Sequence, residues 1–470
     1  MRLDGRRNRS GADILAVELV FLAYFAIVNG SYLFIHLVSI ASLQWNVRDR
    51  LLNPTYNPYR SPFFPGIAIV VPAYNEEAVI SDSVRSLLNL EYSVFEVVVV
   101  NDGSNDGTLR RLLEDFELDP VGEDVPFDLP CEPVHEVYQS NEVDLVVIDK
   151  ENGGKADALN AGVFFTDQPL FCAIDADSIV ERGSLLEVIE PFLQDPERTI
   201  ATGGAVRVAN GCSITRGTVT EVALSGNRLA PLQTVEYLRA FLSGRVGLSA
   251  LQSLLIISGA FGVFRTSAVR EVGGYSTNTI TEDMELIIRL HRHYVDTDYR
   301  IAFVPYPVVW TEIPDDRRVL ASQRMRWYQG LLETLWMHRR MIGNPKYGVI
   351  GLFALPFFLL VEAIGPLIEG VGYVIVPIAF VFGMLNVPFF LLFLGVAVGI
   401  GTLLSWLSVL NEVISFRRYR NPKDIVTLLA YGLAEHAPYR QWKAWIAWLA
   451  LARYVRGDSA WGEMVRVGFE

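Results

Sequence analysis

Ile67-Ala68-Ile69-Val70-Val71-Pro72-Ala73-Tyr74-Asn75-Glu76-Glu77 decides how the middle of this chain is read. Five apolar residues with no polar alternation suit a strand buried on both faces, and the Pro-Ala-Tyr-Asn-Glu-Glu that follows closes it. Ile80, Val84, Leu87 and Leu88 then recur at helical spacing. A second run, Val97–Val100, stops at Asn101-Asp102-Gly103-Ser104. Further strands are expected at 144–148, 170–174 and 201–208, with helical segments between them. Strands and helices in alternation imply an α/β fold, a mostly parallel sheet covered on both faces. In such sheets ligands bind outside the carboxyl ends of the strands, so polar motifs there point to a nucleotide-sized ligand. Residues 114–143, acidic and proline-bearing, read as an insertion loop without chemistry.

Working outward, the flanks turn apolar. The 470 residues are 51% hydrophobic and 20% charged, with a mean hydropathy of +0.28. That combination suits a soluble domain joined to membrane segments and excludes a disordered chain. The net charge of −13 gives no basic face for nucleic acid. Cys131, Cys172 and Cys212 lie far apart, which argues against a disulfide framework or a structural zinc site.

Ile14–Leu43 carries one charge, Glu18, and has no signal-peptide cleavage pattern. As a helix it would reach roughly 45 Å, longer than the roughly 30 Å hydrocarbon core, and we read a retained anchor. The zone from Val349 to Leu410 holds Gly370, Gly372 and Pro377 and turns at Asn386-Val387-Pro388. Spans are expected at 363–384 and 388–411, with 349–362 in the interface. Arg417, Arg418, Arg420 and Lys423 follow, and the positive-inside rule puts them, and by counting back residues 44–348 with Arg48, Arg50 and Arg60, in the cytoplasm. Arg2, Arg6, Arg7 and Arg9 would then lie outside after one crossing; the alternative is a hairpin pinched at Asn29-Gly30. Residues 425–456 are amphipathic and broken at Glu435-His436-Ala437-Pro438, which reads as interfacial helices. The organisation is an anchor at 1–47, a cytoplasmic domain at 48–345, transmembrane and interfacial helices at 346–457, and a tail at 458–470. This describes a multi-pass protein of the cell membrane.

Each motif also has a plain structural reading. Asp102 ends a strand, which suits a ligand or an Asx turn. Lys155, one of five lysines, follows Gly153-Gly154, which suits close approach to a diphosphate or simply the start of a helix. Asp175-Ala176-Asp177 follows the strand at 170–174, and two carboxylates there form a hard-oxygen half-site for Mg²⁺ or Mn²⁺, completed by phosphates and water. Thr281-Glu282-Asp283 opens a helix; the acids favour its dipole, or Asp283 is a general base. Gln323, Arg326 and Trp327 share one helix face, an amide, a guanidinium and an indole that suit a diphosphate and a sugar ring; the plain alternative is a surface helix with one buried Trp. His291 and His293 have no metal-ligand spacing.

Taken together, these motifs resemble the membrane-embedded processive members of glycosyltransferase family 2, which include cellulose, chitin, hyaluronan and poly-N-acetylglucosamine synthases. The resemblance covers roughly 65–345 and rests on Pro72-Ala73-Tyr74-Asn75-Glu76, Asn101-Asp102-Gly103-Ser104, Gly154-Lys155, Asp175-Ala176-Asp177, Ser258-Gly259-Ala260-Phe261, Thr281-Glu282-Asp283 and Gln323-Arg324-Met325-Arg326-Trp327. The tail from Trp461-Gly462 to Gly468-Phe469 is similar to the end of the poly-N-acetylglucosamine branch. One departure is Ile280-Thr281, where many members have Gly before the Thr or Glu.

The resemblance implies a GT-A fold with a Rossmann-like sheet. It implies that Tyr74, Glu76 and Asp102 hold uridine, and that Lys155 places the nucleotide. Asp177 would bind Mg²⁺ or Mn²⁺ with Asp175 beside it, and Asp283 would be the base. Gln323 and Arg326 would contact the diphosphate, and Trp327 the acceptor. The expected reaction is inverting transfer from a UDP-sugar, leaning to UDP-N-acetylglucosamine, to a growing β-linked polysaccharide. A membrane enzyme adding one or a few sugars to a lipid, and a catalytically silent scaffold, remain as alternatives. The helix 232–254, with few charges and an apolar face, would couple the site to the spans. Few spans for a wide pore imply a partner subunit or a homo-oligomer. With no PilZ-like extension, no built-in cyclic-di-GMP switch is expected.

Overall fold

The computed structural model describes residues 4–52, 64–121, 130–215, 217–383 and 385–457. Its centre is set by β1 (Ile67–Ala73), β2 (Phe95–Asp102) and their neighbours. Along β1 the side chains alternate between two cores: Ile67, Ile69 and Val71 face one, Ala68 and Val70 the other. Val97 and Val99 of β2 share the first core, Val98 and Val100 the second. Unbroken valine runs are therefore what a strand covered on both faces requires.

The remaining strands are β3 (Leu118–Pro120), β4 (Val134–Ser140), β5 (Leu145–Lys150), β6 (Leu170–Ala173), β7 (Ser178–Val180), β8 (Thr199–Val208), β9 (Ser213–Thr215), β10 (Thr218–Glu221), β11 (Gly262–Arg265) and β12 (Arg300–Thr311). Ten of them form one sheet in the order β3-β4-β5-β2-β1-β6-β11-β8-β12-β7, and β9 pairs with β10. The middle, β5-β2-β1-β6, is parallel. β11 runs antiparallel to both β6 and β8, while β8 and β12 are again parallel. The carboxyl ends of β2, β1 and β6 thus lie side by side.

One expectation fails on the edge. Residues 114–143 are not simply a loop: β4 extends the sheet antiparallel to β5, and β3 pairs antiparallel to β4. β4 (VHEVYQS) is mostly half-exposed and carries no apolar run, so main-chain pairing rather than burial defines it.

Helices α2 (Ile80–Leu88), α3 (Thr108–Asp115), α4 (Lys155–Phe165), α5 (Ser184–Val188), α6 (Glu190–Gln194), α7 (Leu229–Leu238), α8 (Val246–Ala250), α9 (Thr266–Glu271), α10 (Glu282–His293) and α11 (Arg317–Met337) surround the sheet. A π-helical stretch, Arg239–Arg245, joins α7 to α8, and this unit packs on the first helix, α1 (Asp4–Leu52). α1 passes straight through Asn29-Gly30, which excludes the hairpin. Arg2 lies outside the described residues, as do the side chains of Arg6, Arg7 and Arg9.

Among the described residues, three stretches are long and apolar enough to cross a membrane: Leu22–Trp45, Ile350–Val381 and Phe390–Ser415. The second contains α12 (Leu355–Phe357) and α13 (Gly365–Val381), and its first half packs on the sheet domain through Ile350, Ala354 and Leu355 beside Met284 and Leu335. The third belongs to α14 (Val387–Ser415). After it, α15 (Pro422–Ala434) and α16 (Tyr439–Arg456) are separated at the expected break. α15 joins α7 in one apolar cluster, and α16 meets α11 through Met325, Ile446 and Ala450. The tail at 458–470 lies outside the described residues.

Candidate active site

The loops after β1 and β2 are sewn together. Asn75, at φ 57°, receives a bond from the Asn105 N–H (2.8 Å), while its own N–H donates to Ser104 (3.0 Å). The Glu76 N–H donates to Thr108 (2.8 Å), and the Glu76 side chain is buried. Tyr74 stands 47% exposed at the rim, with Asn105 against its hydroxyl at 3.4 Å.

Asp102 is buried, and its carboxylate organises the next loop. Oδ1 accepts from Lys150 Nζ (2.7 Å) and the Gly153 N–H (3.0 Å), and Oδ2 from the Gly154 N–H (2.8 Å) and Asn152 (3.3 Å). Lys150, fully buried at the end of β5, also pairs with Asp157 at 2.6 Å. Gly154 has φ +88°, a conformation glycine takes without strain, and the chain then turns into α4 with Lys155 at its first position. Asp102 therefore sets the course of the backbone that delivers Lys155. Sequence reasoning passed over Lys150; its signal was a charge at the end of a buried strand.

Lys155 forms an ion pair with Asp175 and lies 3.5 Å from Glu282. Its ammonium also reaches the Gly259 carbonyl at 3.5 Å, while the Gly259 N–H donates to Asp283 Oδ2 at 3.1 Å. Gly259 is the hub: a Cβ there would stand 2.9 Å from Lys155 Nζ, 3.5 Å from Glu282 and 3.6 Å from Asp283. Lys155 and the pair Glu282-Asp283, more than a hundred residues apart in sequence, thus meet at one glycine, and Asp175 joins them through Lys155. The loop before the acids, despite its Ile280-Thr281, is anchored on α11, with the Ile280 N–H on Glu333 (3.2 Å) and Thr281 against Thr334 (3.2 Å).

The charges in this cluster perturb one another. Burial raises the Asp283 carboxyl above the usual carboxylate range, against the pull of Lys155 and of two N–H donors. Burial raises Glu282 likewise. Asp177 is pushed up to about 7 by burial and by Asp175, with Lys155 opposing. Burial works against the Lys155 charge, but Asp175 and Glu282 overcome it and hold the ammonium above its ordinary range. Burial lowers Arg326, with Glu282 and Asp175 counteracting, so its guanidinium belongs to the same field. A cleft with several displaced carboxyls beside cations is what acid–base chemistry on an anionic ligand needs.

Gln323 Oε1 and Arg245 Nη1 are buried with no hydrogen-bond partner. Burial brings Arg245 down to about 10, with the charge of Asp283 opposing. Arg245 was visible in the sequence only as one of few charges on an apolar helix. Trp327 is 40% exposed, with Arg324 over its ring at 4.4 Å. His291 is buried between Tyr299 (2.6 Å) and the Leu254 carbonyl (2.7 Å). Among the described residues no group of three His, Cys, Asp or Glu side chains forms a closed metal cage. Asp175 and Asp177 instead offer two hard carboxylate donors, which fits Mg²⁺ or Mn²⁺ completed by substrate phosphates and water.

Fold and site together define an α/β domain with a cluster of mutually perturbed charges at the strand tips. The chain belongs to glycosyl transferase family group 2, whose profile matches residues 170–411, just over half of it; the glycosyl transferase family 2 profile matches residues 68–124. It is similar to the poly-beta-1,6-N-acetyl-D-glucosamine synthase of Staphylococcus aureus (strain COL), 32% identical over 273 residues, 57% of this chain and 55% of the relative. The synthase of the same name from Staphylococcus epidermidis is 31% identical over 275 residues, 58% and 57% of the two chains. The chain thus spans little more than half the length of the curated relatives it matches. A solved mannosyltransferase, PcManGT from Pyrobaculum calidifontis in complex with GDP-Man and Mn²⁺, shares the fold at a TM-score of 0.51 and 18% identity, covering 90% of this chain and 100% of that one. The sheet domain is of the GT-A type.

Proposed function

We propose that the chain is an inverting, metal-dependent transferase moving a sugar from a UDP-sugar, UDP-N-acetylglucosamine first, onto a growing β-linked polysaccharide, coupled to membrane export. The observation that carries this reading is the convergence of Lys155, Glu282 and Asp283 on Gly259, with Asp175 paired to Lys155. The names of the staphylococcal relatives support the donor and the product.

In the reaction, ionised Asp283 takes the proton of the acceptor hydroxyl as that oxygen bonds to the anomeric carbon. The bond from that carbon to the diphosphate oxygen breaks, and its electron pair leaves with UDP. Lys155 and Arg326 offer positive charge to the diphosphate, and the unpartnered Gln323 amide oxygen is positioned to accept from substrate. Mg²⁺ or Mn²⁺ held by Asp177 with Asp175 would supply charge neutralisation at the diphosphate. Tyr74 and Glu76 border the uridine end, with Asp102 holding the loop beneath it. Trp327 offers a flat face to the acceptor sugar. Attack opposite the leaving group turns an α-linked donor into a β-linked product.

Residues 48–345 would then face the cytoplasm, between an anchor at 1–47 and the membrane region at 346–457. Arg418 supports this placement: it pairs with Glu181 of the sheet domain at 2.6 and 2.8 Å, so the basic cluster after α14 and that domain share one side. The polymer path would run between the spans, with a partner subunit or a second copy completing it. The test is UDP release by the full chain in lipid, across a panel of UDP-sugars with Mg²⁺ or Mn²⁺, with the products sized. Release with one donor and long product is expected. Short lipid-bound product would favour the lipid acceptor, and silence with every donor would defeat the reading.

A further inference from the structure

Outside the catalytic cluster, a second set of charges gathers on Glu236, which belongs to α7. Its Oε2 accepts from Arg324 Nη2 at 2.8 Å and from the Tyr439 hydroxyl at 3.0 Å, and its Oε1 pairs with Lys443. The Glu236 and Arg324 side chains are 13% and 14% exposed. Arg324 in turn lies over the Trp327 ring at 4.4 Å. Tyr439 stacks on Trp442, and both belong to α16. Three distant segments, at 236, 324–327 and 439–443, are thus fastened at one carboxylate.

We infer that Glu236 is a positioning residue for the acceptor: it holds Arg324 against the Trp327 indole and fixes that indole relative to α16. The inference rests on the reading of Trp327 as the acceptor platform. An indole 40% exposed would otherwise sample several rotamers, and ordering it on binding would weaken acceptor affinity. Among the described residues Glu236 is the one carboxylate paired with Arg324. Without it the guanidinium has no reason to stay over the ring. Burial would raise the Glu236 carboxyl, but Lys443 and Arg324 hold it down to about 2, so the clamp keeps its charge at every pH at which the enzyme would work. Among the described residues the hydrogen bonds and ion pairs of Glu236 go to Arg324, Tyr439 and Lys443 and not to Lys155, Asp175, Glu282 or Asp283, so the two halves of the reaction are separable.

The test uses the full chain in lipid, saturated with UDP-N-acetylglucosamine, with a soluble β-linked N-acetylglucosamine oligosaccharide as acceptor. Transfer is measured against acceptor concentration, and UDP release to water is measured without acceptor. Glu236→Gln should raise the acceptor KM about tenfold and leave donor KM and release to water within about twofold. The double variant with Trp327→Ala should be no worse than Trp327→Ala alone, because both changes disable one unit. An equal loss of donor-side release, or effects that multiply in the double variant, would overturn the inference. If Glu236→Gln does not assemble, Lys443→Met should show a smaller rise in acceptor KM of the same pattern, and an unchanged KM would overturn it. A wild-type chain that transfers beside an unaffected Glu236→Gln defeats this inference alone; a wild type silent with every donor defeats the proposed function and this with it.

Discussion

The Gly259 cluster and the Glu236 clamp hold buried charge in opposite balance. Around Gly259 the carboxylates of Asp175, Asp177, Glu282 and Asp283 crowd Lys155 and Arg326, and three of those carboxyls are raised. Around Glu236 the cations Arg324 and Lys443 crowd one carboxylate, which is lowered to about 2. The first balance leaves groups ready to exchange a proton or take up a cation; the second freezes a charge in place. On the proposed reading, one region serves chemistry and the other geometry.

The largest expected effect tests the first half. Asp283→Asn keeps the shape and removes the base, so turnover should fall about 10²–10⁴-fold. The sign with pH follows from the raised carboxyl: the ionised base is present above its folded pKa and lost as pH falls through it. The acid limb of the rate profile should therefore lie above the ordinary carboxylate range. Glu236 behaves in reverse, because a lowered carboxyl contributes stability above its ordinary value of 4.5 that is lost only as pH falls towards about 2. On acidification activity should fail first, while Glu236→Gln still lowers the thermal midpoint relative to wild type. Activity surviving to the pH at which that difference vanishes would break the contrast.

Lys150→Met should come next. It leaves Asp102 and Asp157 buried without their cation and should destabilise the domain by about 3–5 kcal/mol, read by thermal unfolding. Lys443→Met, one-third exposed and with Arg324 still beside Glu236, should cost only about 1 kcal/mol. Equal costs would erase the difference between the two regions. Gly259→Ala presses a methyl against the movable end of Lys155, and the displaced ammonium should lower donor kcat/KM about tenfold with little loss of stability. Arg418→Gln breaks a half-solvated pair with Glu181 and should cost about 1 kcal/mol or less.

How much of this was legible follows the same division. The strands at 67–73, 95–102 and 170–173 and the acids at their tips could be read because a parallel sheet writes its core as unbroken apolar runs and its site as the polar residues that end them. Lys150 escaped notice because its importance lies in what a neighbouring strand places opposite it. β3 and β4 escaped because an edge strand needs only main-chain partners. The clamp was not legible at all. Glu236 looked like a stray charge on an apolar helix, Arg324 filled an unassigned place between Gln323 and Arg326, and Lys443 lay in a segment read as interfacial. Of the five lysines in the sequence, Lys150, Lys155 and Lys443 each pair with a carboxylate at least partly withdrawn from solvent, a pattern that only the fold makes visible.

The central claim is a single displacement with Asp283 as base on the face opposite the departing UDP. Its most direct test is the anomeric configuration of the first linkage formed from α-linked UDP-N-acetylglucosamine by the full chain in lipid, read by NMR and by a β-specific glycosidase. The account predicts a β linkage cleaved by that enzyme. An α linkage would require attack on the same face from which UDP departs or a covalent intermediate, and would contradict it.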